Sequence, residues 1–468
     1  MSETILAIDI GSTKICAIIA EISDTNEVNI QGHGITKSQG IKKGAITNIE
    51  LASKSIKKAI NDAKRIAGSN ITTATVSISN AYAKSLNSTG IVNIPHKDIS
   101  IKEINRVMQT ALYNANVPNE YEVVHVLPYN FRVDDQDFIE DPFGMNASRM
   151  EVDVNIIMTQ KSNLSNLKKA VRSAGVEIDG IVLSGYASAI ATMDEDEKEL
   201  GVAVIDLGGQ TSNLVVHTGN SIRYNDFLGV GSNHITNDLS MALHTPLQIA
   251  ENVKIRHGNL VETSTEVIEL PIIGDEENRN NVSLEIVHSV IFSRVEEALM
   301  ILAKSLEKSA LKEQIGAGII LTGGMTKLKG MRELAQAIFS GMPVRVAYPE
   351  NVAGLFDDLK DPAFSTVVGL LLYKAGGHTQ YEIDFQQKLL HSKVIQEDDL
   401  RGIKTGLNPG SELGKNTGTA SDSFSNTGSK EKDKSDEENI TFDLLPDDLG
   451  HEKQNPFKKL ANWARQLF

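Results

Sequence analysis

Ile5-Leu-Ala-Ile-Asp-Ile-Gly-Ser-Thr-Lys14, running on into ICAIIAEI, and Val202-Ala-Val-Ile-Asp-Leu-Gly-Gly-Gln-Thr-Ser-Asn213, running on into LVVHTG, are one pattern repeated about 200 residues apart. Each reads as a β-branched strand ending in Asp, a Gly-rich turn, and a second strand. That is a hairpin, not the strand-to-helix step of a Rossmann or P-loop unit. Two copies predict two related halves. A third glycine turn, Gly318-Ile-Ile-Leu-Thr-Gly-Gly-Met325, follows a short apolar strand and precedes Leu328 to Phe339, whose spacing is helical, so it reads as strand-turn-helix.

Outward from these turns, helical spacing recurs at Asn48 to Ala67, Ser100 to Asn116, Ser162 to Ala174, Ser232 to Leu243 and Leu284 to Ser309. Strand patterns fall at Ala74 to Ile78, Tyr121 to Arg132 and Glu151 to Thr159. Helices and strands mix throughout, which predicts an α/β architecture. The stretch from about Lys84 to Gln160, with its Asp141-Pro-Phe-Gly144 turn, reads as a subdomain inserted between the halves. The acidic run Asp194-Glu-Asp-Glu-Lys-Glu199 reads as a solvated loop.

The chain has 468 residues, 46 Lys and Arg against 61 Asp and Glu, and a net charge of -15. With 40% hydrophobic residues it holds ample material for a core. The acidic balance argues against a general nucleic-acid binder, which would cluster cations against phosphates. A single cysteine, Cys16, excludes an internal disulfide framework and a Cys-rich metal site, and it reads as a small buried apolar residue in a reducing compartment. The start has an acidic Glu3 and no basic region before its apolar stretch, so it does not read as a signal peptide, and no segment approaches the roughly 20 apolar residues of a spanning helix. Any membrane contact is therefore expected to be peripheral.

From about Arg401 to Asn455 the chain is polar and reads as a disordered linker, which at this length would span roughly 40 Å. The patch Ile440 to Pro446 inside it is either a docking motif or an incidental apolar cluster. The end, Pro456-Phe-Lys-Lys-Leu-Ala-Asn-Trp-Ala-Arg-Gln-Leu-Phe468, places Phe457, Leu460, Trp463, Leu467 and Phe468 on one helical face and Lys458, Lys459 and Arg465 on the other. That pattern suits an amphipathic helix lying on an anionic membrane surface; docking on the protein's own body or on a partner is the alternative.

Chemically, a Ser/Thr/Gly turn offers backbone N–H groups and hydroxyls to phosphate oxygens, and two facing turns would clamp a triphosphate. Candidate phosphate contacts are Gly11, Ser12, Thr13 and Lys14 in the first turn and Gly208, Gly209, Gln210 and Thr211 in the second. Asp9 and Asp206 end the two leading strands and are candidate Mg²⁺ ligands, directly or through water. The Gly323, Gly324 and Met325 turn would approach the α-phosphate or nucleoside with helix-end amides.

The paired hairpins and Leu321-Thr-Gly-Gly324 resemble the phosphate and adenosine motifs of the actin, Hsp70 and sugar-kinase superfamily. More narrowly, the chain resembles the FtsA family of bacterial cell division proteins. That resemblance rests on residues 201–209, Asn233 to Asp238, Ala250 to Gly258, Ile319 to Gly324, Ser365 to Leu371, the placement of the inserted subdomain, and the amphipathic end after a variable linker. It implies an actin-like two-lobed fold of duplicated RNase H-like halves. The expected subdomains are 1–83 with 161–198, the insert 84–160, 199–228 with 302–378, and 229–301, followed by a linker at 379–455 and the helix at 456–468.

The resemblance further implies ATP and Mg²⁺ as cofactors, with Gly231, Ser232, Asn233, Glu251 and Lys254 completing the nucleotide site. It implies self-association into filaments, binding of the FtsZ C-terminal peptide through a surface that includes Arg294, and recruitment of later division proteins by the insert. Location is expected at the cytoplasmic face of the cell membrane at the division site, with a cytoplasmic pool. Two departures stand out: the second turn has Gln210 and Asn213 where many superfamily members have glycine and aspartate, which implies at most weak hydrolysis and a principally structural role, and Ser232 stands where glycine is common. The competing readings are a PilM-like pilus-assembly adaptor and a small-molecule kinase of the same superfamily.

Overall fold

The computed structural model describes residues 2–350 and 352–391. The polar linker beyond them, the 440–446 patch and the 456–468 helix lie outside the described residues.

Within residues 2–391 the two hairpin motifs open two five-stranded sheets of the same topology. The first has the spatial order Val28–Lys37, Lys14–Ile22, Glu3–Ile10, Thr73–Ile78, Glu177–Leu183, and the second Ser221–Leu228, Ser212–Thr218, Val202–Leu207, Gly318–Thr322, Val344–Val346. In both, three antiparallel strands join two parallel ones. Asp9 pairs across its hairpin with Cys16, and Asp206 with Asn213, so the two carboxylates hold equivalent positions. The central strands are nearly continuous apolar runs because both faces are covered: Leu6 to Ile8, Ile15 to Ala20 and Val202 to Ile205 are all buried.

Each sheet has its own core. Ile49–Ala67 covers the first, starting at Asn48, whose side chain accepts the Leu51 amide, and stopping at Gly68 in the left-handed conformation. The halves meet through the helices Ser184–Ile190 and Ser365–Leu372. There Gly369 lies so close to Ala187 that a Cβ would fall on the Ala187 carbonyl, an approach only glycine allows.

The insert is a four-stranded antiparallel sheet, Ala83–Asn93, Arg149–Gln160, Tyr121–Val133, Gln136–Ile139, packed on the helix Ile101–Asn114. Ser100 and Glu103 form a capping box at that helix start. The segment after Ser365–Leu372, which the sequence reading assigned to the linker from Thr379 onward, is packed through Ile383. Ile383 exchanges both backbone hydrogen bonds with Val126, and Tyr381 lies edge-on to Phe131 inside the insert's core.

Helices occupy all five stretches with helical spacing. Two local readings are corrected. The acidic run is not a loop: Glu195–Leu200 is a helix, and Glu197 takes a two-pronged contact from Arg345 at 2.6 Å on each oxygen. Burial alone would raise the Glu197 carboxyl; the Arg345 fork and the Asp194 amide bring it below its usual range instead. The third glycine turn leads first into a 3₁₀ turn at Gly324–Lys327, and the α-helix begins only at Met331, because Leu328 and Lys329 run extended to meet residues 259–260.

Cys16 is fully buried, and that burial pushes its thiol up to about 12. A thiol reagent at pH 8 should therefore leave the folded protein unmodified and label one thiol in denaturant. Rapid labelling without denaturant would show that the first sheet opens easily.

Candidate functional site

The two hairpin turns are built alike and touch. Gly11 N–H donates to the Lys14 carbonyl at 3.1 Å, and Gly208 N–H to the Thr211 carbonyl at 2.9 Å. A Cβ added to Gly209 would fall on Thr13 Oγ1, so the first turn rests directly on the second and the residue there must lack a side chain. The sequence reading brought these turns together, and the structure places them in contact.

Beneath them, Asp9 Oδ1 accepts from Ser77 Oγ at 2.9 Å, and Asp9 Oδ2 lies 3.7 Å from Lys14 Nζ. Lys14 is fixed further by the Ala363 carbonyl at 2.5 Å and by the Phe364 ring, whose centroid is 4.4 Å away. Asp206 Oδ2 accepts from Ser188 Oγ at 2.9 Å, and Ser188 in turn bonds Thr366 Oγ1 at 2.8 Å. Burial pushes the Asp206 carboxyl above its usual range, and the charge of Asp9 adds to the push, against partial relief from Ser188 and Lys14. Two facing carboxylates that repel one another suit a divalent cation with water ligands. Asn213 Oδ1, buried beside them, has no hydrogen-bond partner. The donor set therefore fits a hydrated Mg²⁺ with phosphate. Among the described residues no group of three or more His, Cys, Asp or Glu forms a metal cage.

The other predicted residues are distributed unevenly. Gly231 packs on the second turn, where a Cβ would lie 2.5 Å from the Gly208 carbonyl. The amides of Ser232 and Asn233 donate to the carbonyls of Gly208 and Gly209 at 3.0 and 2.8 Å, so these helix-end donors hold the turn itself. Glu251 and Lys254 share one face of Leu247–His257, as their spacing requires. Lys254 is buried, and its ammonium lies against Ser232 Oγ at 2.6 Å, the Ser232 carbonyl at 3.2 Å, and Thr236 Oγ1 and Glu251 Oε2, both at 2.8 Å. With three donors and four acceptors in reach it has none to spare, and it braces two helices.

Gly323, with φ +90°, lies against Asp206 and the Leu207 backbone, which joins the third turn to the other two. Gly324 stays open on the cleft side apart from Ala363, while the Met325 side chain is buried in the second core. Because no α-helix starts here, the donors are those of a 3₁₀ turn. Arg294, on Leu284–Lys308, is already paired: Nε with Asp238 and NH1 with Glu297, both at 2.6 Å.

Sequence reading missed two parts of this site. Ser12 Oγ accepts the Gly44 amide at 3.0 Å, and Gln210 Oε1 accepts the Lys43 amide at 2.8 Å, so a hairpin at residues 41–46 covers both turns. The Lys-Lys-Gly signal at 42–44 marked a turn but not its location. Ser188 and Ser77, which hold the two carboxylates, sit far from them in sequence and carry no motif.

Comparison with known proteins adds the lineage. A family model described as "Cell division protein FtsA" matches residues 203–369, and one described as "SHS2 domain inserted in FTSA" matches residues 80–158. The cell division protein FtsA of Helicobacter pylori (strain J99) is 43% identical over 415 residues, covering 82% of this chain and 84% of the relative. This chain belongs to the FtsA family. FtsA of Pseudomonas aeruginosa is 37% identical over 79% of this chain and 88% of its own, and that of Escherichia coli K12 is 30% identical over 83% and 94%. Among solved structures, the PilM-PilN type IV pilus biogenesis complex matches with a TM-score of 0.57 at 18% identity, covering 79% of this chain and 98% of that one. MreB5 of Spiroplasma citri bound to ADP matches with a TM-score of 0.50 at 14% identity, covering 80% and 96%. At those identities the likenesses show the fold alone. The fold is α/β and actin-like, with an SHS2 insert, and the family is one of cell division proteins.

Proposed function

We propose that this family member is an ATP-binding scaffold that assembles on the cytoplasmic face of the cell membrane, tethers FtsZ filaments to it and brings later division proteins to the site. The observation that carries the nucleotide reading is the contact of Thr13 with Gly209 above Asp9 and Asp206. In this reading the two turns and Lys14 bind the phosphates, while Asp9 and Asp206 hold Mg²⁺ through its waters. Bound Mg²⁺ would neutralise phosphate charge. Gln210 Oε1 is engaged by the Lys43 amide, so the acceptor that would take a proton from an attacking water is occupied, in keeping with weak hydrolysis.

Membrane attachment is assigned to residues 456–468, whose sequence has the spacing of an amphipathic helix, and filament assembly multiplies a weak anchor into a firm one. No described helix is long and apolar enough to cross a membrane. The peptide contact is assigned to the surface around Arg294, where an acidic peptide would share the guanidinium with Asp238 and Glu297.

The test is FtsZ recruitment to vesicles carrying anionic lipid, with and without ATP. Trp463→Glu should abolish vesicle binding. Arg294→Glu should spare vesicle binding and abolish recruitment, while Arg294→Met, which adds no third carboxylate beside Asp238 and Glu297, should weaken recruitment about tenfold, on the scale of one charge-assisted contact. Equal vesicle binding by Trp463→Glu and wild type would sink the anchor, and recruitment insensitive to deletion of the FtsZ tail would sink the tether.

A further inference from the structure

The hairpin Ile41–Lys42 and Ala45–Ile46 is closed by Lys43 at φ +47° and Gly44 at φ +77°, two left-handed residues in the manner of a type I′ turn. Its tip is bonded to both phosphate turns, through Gly44 N–H to Ser12 Oγ and Lys43 N–H to Gln210 Oε1. Gly44 also packs on Ser79, where a Cβ would fall on the hydroxyl, so the tip is seated from below as well as tied on two sides. Main-chain positions tied this way direct the Lys43 side chain. Its Cδ lies 3.9 Å from where a Cβ on Gly229 would stand, two residues before Gly231, which packs on the second turn.

The two lysines at the turns are held differently. Lys14 is fixed at the base by Asp9, the Ala363 carbonyl and the Phe364 ring. Lys43 is exposed, and among the described residues its ammonium has no ion pair. His234, bonded to the Gly231 amide, is lowered first by burial and also by the Lys43 charge, which agrees with an ammonium near the start of Ser232–Ala242.

We propose that Lys43 recognises the terminal phosphate of a bound nucleoside triphosphate and so separates triphosphate from diphosphate. The inference rests on the nucleotide reading above. A cation brought to the turns by a separate hairpin meets the end of the phosphate chain, where the triphosphate carries its extra charge. Gln210 then has a positioning role. Standing where many superfamily members have glycine, it reaches from the second half to fix the backbone of Lys43, adding a tie across the halves to those that Ser12 and Ser79 make within the first.

Calorimetric titration of the full chain with Mg-ATP and Mg-ADP tests this. Lys43→Met should weaken ATP binding roughly five- to tenfold and leave ADP binding nearly unchanged, the scale of a charge-assisted contact at an exposed site. Lys43→Arg should keep the preference, Gln210→Ala should lose part of it, and the wild-type preference should shrink with salt. If Lys43→Met weakens both nucleotides equally, or neither, the assignment of Lys43 is overturned while the nucleotide site stands. If the wild type binds neither nucleotide, the nucleotide reading itself fails and takes this inference with it.

Discussion

Glu382→Ala should destabilise the protein by about 3–5 kcal/mol, the cost of leaving buried donors without their acceptor at about 1–3 kcal/mol each, together with the volume lost. Glu382 is fully buried, and its carboxylate accepts from His125 Nδ1 at 2.6 Å, Tyr373 Oη at 2.7 Å and Tyr186 Oη at 3.0 Å. The Leu183 amide donates to His125 Nε2 at 3.1 Å, so the proton of this imidazole sits on Nδ1 and points at Glu382. Alanine would leave the buried His125 Nδ1–H and Tyr373 hydroxyl without their acceptor, while the Tyr186 hydroxyl keeps Thr379 Oγ1 at 2.9 Å.

The loss should also be local before it is global. Glu382 joins the insert strand Tyr121–Val133, the helix Ser184–Ile190 and the end of Ser365–Leu372, and the adjacent Ile383 pairs with Val126. Hydrogen exchange in Tyr121–Val133 should therefore rise more than in Val202–Leu207, while Glu382→Gln, which keeps the shape and one carbonyl, should cost less. Denaturant unfolding within about 1 kcal/mol of wild type, or unchanged exchange in that strand, would show the network to be dispensable.

The second large effect is expected at Gly209. Gly209→Val places carbon where Thr13 Oγ1 now stands, so the turns could meet only by moving apart. Overpacking of this kind costs about 1–3 kcal/mol, and with each 1.4 kcal/mol worth tenfold, nucleotide affinity should fall about 10- to 100-fold. Gly209 is only partly buried and lies outside both apolar cores, so the turns can part there without opening either core and the melting temperature without nucleotide should fall by no more than a few degrees. Thr13→Gly in the same chain removes the opposing side chain and should recover part of the affinity. Unchanged affinity in Gly209→Val, or no recovery in the double variant, would mean that the closed contact between the turns is not the nucleotide-binding arrangement.

The duplicated motif carried most of the architecture. Ile5 to Lys14 and Val202 to Thr211 each specify strand, turn and strand through local preferences alone, and their repetition implied two sheets of one topology, as found. The pairing of Asp9 with Cys16 and Asp206 with Asn213 follows from the same turn geometry. The family was legible too, because its motifs are runs of adjacent residues. Errors fell where tertiary contact outvoted local pattern. The run 194–199 looks like solvated charge until Arg345, about 150 residues away, pairs with Glu197. Thr379 to Ile383 looks like the start of a polar linker, since nothing local reveals that Glu382 has three buried donors waiting or that Val126 offers a strand edge.

The sequence by itself determined the two halves, the place of the insert, the turns with their carboxylates, and the family, all properties of short contiguous segments whose backbone preferences and spacing decide them. Only the tertiary structure decided that Thr13 closes on Gly209, that Lys254 is consumed in bracing two helices, that Arg294 is already paired, and that the Lys43 hairpin reaches Ser12 and Gln210 together. Each of these joins residues distant in the chain, and their partners are selected by the packing of whole sheets and helices, which no local pattern encodes.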